Sequence, residues 1–125
     1  MGKVLLVEDI ANNATVVRKI VESLGHEFVW AENAESGLNL ALEHLPDLIL
    51  LDLGLPDVDG QTLSVWLRGE PALRKTPLVA MTAWPEETAR IMVKAYNLDG
   101  YIGKPFRMKD LIDLVQSYMP DALTL

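Results

Sequence analysis

Residues 47–60, Asp47-Leu48-Ile49-Leu50-Leu51-Asp52-Leu53-Gly54-Leu55-Pro56-Asp57-Val58-Asp59-Gly60, constrain the fold more than any other stretch of the chain. The four apolar residues Leu48 to Leu51 show no inside–outside alternation, so the strand they predict is buried on both faces. A strand of that kind belongs to a parallel sheet covered by helices on both sides. It runs into Asp52 and then into a loop marked by Gly54, Pro56 and Asp59-Gly60, residue types that suit turns. In an open α/β sheet, ligands bind in the crevice outside the carboxyl ends of the strands. Asp52 is therefore a carboxylate delivered by an apolar strand to the place where such folds do their chemistry.

The rest of the chain supplies the neighbours this strand needs. Lys3 to Val7 reads as a second buried strand and ends in Glu8-Asp9. From Ala11 to Leu24 the period becomes helical, with Val17, Ile20, Val21 and Leu24 on one face and Arg18, Lys19 and Glu22 on the other. Gly25 stands where a glycine closes a helix. Glu27 to Ala31 is the next strand. Ala34 to Leu45 is a helix with Leu38, Ala41, Leu42 and Leu45 expected inward, stopped by Pro46. Gln61 to Gly69 forms a short helix with Leu63, Trp66 and Leu67 expected inward, followed by a turn around Pro71 and a strand from Pro77 to Thr82. Pro85 suits the first position of a helix reaching Ala95, because its missing N–H costs nothing there. Tyr101 to Gly103 is the last strand. Phe106 to Tyr118 is the last helix, with Met108, Leu111, Ile112, Leu114 and Val115 as its apolar stripe. Such alternation of strands and helices requires crossover connections, hence a doubly wound α/β fold with a five-stranded parallel sheet and five helices. Residues 1–125 read as a single domain, with a loose tail after Pro120.

Composition narrows the function. The 125 residues carry a net charge of −7 and contain no cysteine. A surface of that sign repels phosphate backbones and anionic lipid, which sets aside direct nucleic-acid and membrane binding. The chain is long enough to bury a core without disulfides, and the absence of cysteine fits a reducing compartment. No apolar run approaches the ~18 residues of a membrane span, and Val4 to Val7 is too short for a secretion signal. The expected location is the cytoplasm.

Four of the five strands deliver polar residues at their carboxyl ends: Glu8 and Asp9, then Asp52, then Thr82, and finally Lys104 just beyond the last strand. Clustered carboxylates raise one another's pKa values, and a divalent cation relieves that repulsion. A small set of oxygen-only ligands suits Mg²⁺, which retains waters and accepts a substrate phosphate. Asp52 can then act as a nucleophile toward phosphorus, giving an aspartyl phosphate. In that scheme Mg²⁺, the Lys104 ammonium and the Thr82 hydroxyl each compensate one phosphoryl oxygen.

These pieces together resemble the receiver domain of two-component response regulators. The resemblance rests on Val7-Glu8-Asp9, on Asp52 with Pro56 and Asp59-Gly60 behind it, on Met81-Thr82-Ala83, and on Tyr101-Ile102-Gly103-Lys104-Pro105-Phe106. It implies the flavodoxin-like strand order 2-1-3-4-5 and a phosphoryl group received by Asp52 from a sensor histidine kinase or a histidine phosphotransfer protein. It also implies a Mg²⁺ site made by Glu8, Asp9, Asp52 and the Gly54 carbonyl, with one of the acid pair acting through water, and a cis bond before Pro105. Switching would use Thr82 and Tyr101, changing the surface of the fourth helix, fifth strand and fifth helix for a downstream protein target. A homodimer through that surface is a possibility the resemblance leaves open, as is excision from a larger protein. Gly54 and Trp84 occupy the positions that tune phosphoryl lifetime in the family, and Trp84 is expected to overhang the site or face a partner.

The chain departs from the family pattern at Ile10, where asparagine or aspartate is common, whereas Asn13 fits. Asn97 replaces a frequent glycine, and asparagine tolerates positive φ. His26 and His44 are expected to face water, and Met81, Met92, Met108 and Met119 to pack. Two other readings use the same fold. A Mg²⁺-dependent phosphohydrolase of the haloacid dehalogenase type would carry a second aspartate at position 54, where this chain has glycine. A nucleotide-binding flavodoxin-like module would need a glycine-rich loop after the first strand, where Glu8-Asp9 would repel phosphate.

Overall fold

The computed structural model describes residues 2–55 and 57–119; Pro56 of the central loop and the tail from Pro120 lie outside them. The strands are β1 (Lys3–Val7), β2 (Glu27–Ala31), β3 (Leu48–Asp52), β4 (Leu78–Thr82) and β5 (Gly100–Gly103). They alternate with α1 (Ala11–Ser23), α2 (Ala34–His44), α3 (Gly60–Gly69), α4 (Glu86–Ala95) and α5 (Met108–Tyr118), with one 3₁₀ turn at Pro71–Leu73. All pairings are parallel, in the order β2-β1-β3-β4-β5. The chain thus has the flavodoxin-like doubly wound fold. The order reverses between β1 and β3, and at that switch point the strand ends diverge to leave the ligand crevice.

Alternate strand residues feed two cores. Val4, Leu6, Leu48, Leu50, Val79, Met81 and Ile102 pack with Val17, Ile20 and Val21 of α1 and with Leu111 and Val115 of α5. Leu5, Val7, Ile49, Leu51, Leu78 and Ala80 pack on the other face against α2, α3 and the 3₁₀ turn. Every residue of β3 is buried, as its unbroken apolar run requires.

Four inward assignments are corrected. On α2 the buried residues are Ala34, Gly37 and Ala41. Their small size lets the helix approach β1 so closely that a Cβ on Gly37 would meet Val7 Cγ2 at 2.9 Å. Leu42 is consequently pushed to the exposed flank, and Leu45, with φ of 47°, leaves the helix in a left-handed turn and points to solvent. On α3 the inner face is Gly60, Leu63, Ser64 and Leu67, so Trp66 is exposed. Ser64 fits inside because its hydroxyl donates to Gln61 O at 2.6 Å. Met108 stands exposed in the first turn of α5, while Leu111 and Val115 fill the core. Pro85 is the residue before α4, not its first turn.

His26 is also corrected, for it is buried. Its Nδ1 accepts the Gly2 N–H at 3.1 Å, which places the proton on Nε2, a buried atom without a partner among the described residues. Burial holds the imidazole below the ordinary histidine range, with Asp47 opposing. A histidine whose folded pKa lies below its unfolded value of about 6.5 gives full stability above that pH and loses it as acid protonates the unfolded chain first. The urea midpoint should therefore drop between pH 7.5 and 5.5. In His26→Gln, which keeps an acceptor for Gly2, the drop should be smaller; an equal drop would place the sensitivity elsewhere.

Candidate functional site

The site is built by the ends of β1, β3, β4 and β5. The β1 end carries Glu8 past the last ladder bond, Glu8 N–H to Ala31 O at 3.0 Å. Asp52 closes β3, paired in register with Met81 of β4. The loop that follows returns against it so tightly that a Cβ on Gly60 would lie 2.7 Å from Asp52 O, which is why α3 opens with glycine. Asp59 caps that helix by accepting Thr62 N–H at 2.8 Å. Asp57 reaches across to cap α2, accepting from Ala34 N and Glu35 N at 2.9 and 3.2 Å, and these bonds hold its carboxyl below the usual range.

Glu8, Asp9 and Asp52 each offer a carboxylate oxygen within 4.8 Å of the others. Lys104 Nζ lies 3.0 Å from Glu8 Oε1 and 3.3 Å from Asp52 Oδ1, although 96 positions separate it from Glu8. The Lys104–Pro105 bond is cis, and Lys104 N–H donates to Thr82 O at 2.7 Å, seating the lysine beside β4. Glu8 is fully buried, and burial is the main cause that pushes its carboxyl above the ordinary range; Asp52 adds to this and Lys104 opposes it. Glu8 Oε2 is buried with no hydrogen-bond partner among the described residues. An orphaned carboxylate oxygen beside two more carboxylates fits a hard divalent cation, which binds through oxygen alone.

The remaining residues divide into two groups. Gly54 adjoins the cluster, and its N–H donates to Asp52 Oδ1 at 3.1 Å, a contact the sequence did not suggest. Thr82 is buried at the end of β4, its Oγ1 accepting Trp84 N–H at 3.0 Å, and Trp84 stands partly exposed at the rim. Tyr101 lies away from the cluster, half-buried against the α4 side of the sheet beside Arg90 and Lys94. Two contributors went unrecognised as such: Asn13, whose Nδ2 donates to Glu8 Oε1 at 3.1 Å, and Trp30, whose Nε1 donates to Glu8 O at 2.7 Å. Asn13 stood out only through the family pattern; nothing local marks Trp30.

Residues 4–116 match the model of the response regulator receiver domain. The chain belongs to that family. It is 35% identical over 119 residues to the polar-differentiation response regulator DivK of Brucella anthropi, covering 95% of this chain and 97% of that one. Among solved structures it is similar to the receiver domain of a sensor histidine kinase from Pseudomonas aeruginosa PAO1, with a TM-score of 0.86, 28% identity and coverage of 95% and 98% of the two chains. That domain has a magnesium ion coordinated in its active-site cleft. A second similar structure is the signal receiver domain of a signal transduction histidine kinase from Syntrophus aciditrophicus, with a TM-score of 0.87, 26% identity and coverage of 100% and 95%. Family membership makes this a receiver domain of two-component signalling and disfavours the phosphohydrolase. Among the described residues no helix is long and apolar enough to cross a membrane.

Proposed function

We propose that Asp52 accepts a phosphoryl group from the phosphohistidine of a sensor kinase or phosphotransfer protein. The observation that carries this reading is the Asp52 carboxylate at the crevice, flanked by the Lys104 ammonium at 3.3 Å and by an acid pair with a buried oxygen that has no hydrogen-bond partner among the described residues. In the transfer the histidine N–P bond breaks, an Asp52 O–P bond forms, and the imidazole nitrogen takes a proton. Glu8, Asp9, Asp52 and the Gly54 carbonyl would hold Mg²⁺, which supplies a Lewis acid for phosphoryl charge. Lys104 neutralises a phosphoryl oxygen as a compact point charge, and the Thr82 hydroxyl, which only accepts in its bond from Trp84 N–H, has its own proton to donate to another. The domain thereby assists its own phosphorylation and later hydrolysis, with Gly54 and Trp84 tuning the lifetime.

Movement of Thr82 and inward rotation of Tyr101 would reshape the α4-β5-α5 surface. A groove lined by Arg90, Ile91, Lys94 and Tyr101 supports that face as the one that meets a downstream protein or a second copy. The fold and acid balance suit a cytoplasmic domain that touches neither nucleic acid nor membrane.

Intact mass after incubation with acetyl phosphate tests the central step. One phosphoryl adduct is expected in the wild type with Mg²⁺, and none with Asp52→Ala or after chelation. An adduct that persists in Asp52→Ala would move the acceptor elsewhere. Free phosphate well beyond one equivalent would revive the hydrolase.

A further inference from the structure

Glu8 is held at almost every polar atom. Its N–H completes the β1–β2 ladder on Ala31 O, and Oε1 receives Asn13 Nδ2 and Lys104 Nζ. The carbonyl lies past the end of β1. Its donor instead is a side chain, the Trp30 indole N–H at 2.7 Å. Oε2, buried beside Asp9 and Asp52, is the one polar atom of Glu8 without a hydrogen-bond partner among the described residues.

That carbonyl belongs to the peptide unit joining the two acids. Holding it fixes the peptide plane, and therefore the direction in which Asp9 leaves the main chain. Asp9 is exposed, and its carboxylate has no hydrogen bond among the described residues, so its aim depends on its backbone. Trp30 is well placed for this task. It sits on the edge strand β2, in register with Leu6 of β1, and packs on the α1 face, so its long side chain reaches past the strand end to Glu8. Phenylalanine would fill much of the same space but has no donor.

We infer that Trp30 is a positioning residue for the acid pair, clamping the Glu8–Asp9 peptide so that both carboxylates are set for a divalent cation before it arrives. The inference rests on the phosphoacceptor reading of the site. Partners that hold and orient metal ligands commonly govern affinity by about 10–100-fold when removed, and preorganisation explains why a residue outside the cluster can do so.

Calorimetric titration with Mg²⁺ of the wild type, Trp30→Phe and Phe28→Leu tests it. Phe28 packs on the same core as Trp30 but makes no bond to Glu8, so it controls for loss of packing. Trp30→Phe should weaken Mg²⁺ binding by about 10-fold, while Phe28→Leu lowers the melting temperature and leaves the Kd unchanged. In the wild type, the Trp30 indole proton resonance should shift on adding Mg²⁺. A wild-type Kd in Trp30→Phe, or an equal loss in Phe28→Leu, would overturn the positioning role and leave the phosphoacceptor reading standing. A wild type that binds no Mg²⁺ and gains no phosphoryl group would instead overturn that reading, and the inference with it.

Discussion

Replacing Lys104 by alanine will slow phosphorylation by acetyl phosphate by roughly 10²–10³-fold, the usual cost of removing one preorganised group that meets developing charge, while Mg²⁺ binding is retained or tightened. The asymmetry follows from geometry. Lys104 Nζ is 3.0 Å from Glu8 Oε1 and 3.3 Å from Asp52 Oδ1, so it compensates the carboxylates that a metal would otherwise neutralise. Without the ammonium those oxygens gain negative potential, and it no longer competes with the metal for them. The transferring phosphoryl group, by contrast, loses its only protein-borne positive charge among these site contacts. The phosphorylation rate measured by intact mass, set beside a calorimetric Mg²⁺ titration, separates the two effects. Equal loss of both would mean that Lys104 supports the fold and not the phosphoryl group.

Arg68→Ala should lower stability by about 3 kcal/mol, because a mostly buried guanidinium with several acceptors is removed at once. For a chain of this size the melting temperature should fall by roughly 10 °C. Arg68 leaves the outer flank of α3 and donates to Asn97 O at 3.0 Å, to Arg74 O and Thr76 O at 3.1 and 2.7 Å, and to Asp99 Oδ2 at 2.7 Å. The same Asp99 oxygen accepts Leu78 N–H at 2.8 Å, so one side chain ties α3 to the start of β4 and the approach to β5. Asn97, with φ of 55°, makes the turn that brings its carbonyl to the arginine. Lysine at position 68 should recover little, since one ammonium cannot reproduce the planar fork. These contacts lie at the amino ends of the strands, opposite the crevice, so Asp52 phosphorylation at a permissive temperature should be unchanged. Loss of phosphorylation without loss of stability would show that this end communicates with the site.

The elements were legible where local physics decides them. The unbroken run Leu48 to Leu51 gave a buried central strand, and β2 emerged with the same ends, Glu27 and Ala31. Gly25 closes α1 with φ of 86°, as its lack of Cβ allows. Errors arose where the deciding contact is distant. His26 follows a helix and is polar, yet it is covered where the Gly2 N–H and Asp47 approach from elsewhere in the chain. Trp66 looked inward by helical spacing, but the face of α3 is set by Ser64, whose hydroxyl is satisfied within its own helix. Leu42 and Leu45 looked inward by hydrophobicity, but α2 lies too close to β1 to bury anything larger than alanine there.

The same division holds at the site. The sequence by itself determined which residue types reach the carboxyl ends of the strands, because strand length and turn residues are local properties: Glu8-Asp9, Asp52, Thr82 and Lys104. Tertiary structure alone decided that Lys104 meets Glu8 across 96 positions, that Glu8 is wholly buried with one oxygen unpartnered among the described residues, and that an edge-strand tryptophan holds its carbonyl. Those facts depend on strand order and on which helices exclude water from the crevice. Burial and long-range hydrogen bonding are sums over neighbours that no local stretch of sequence contains.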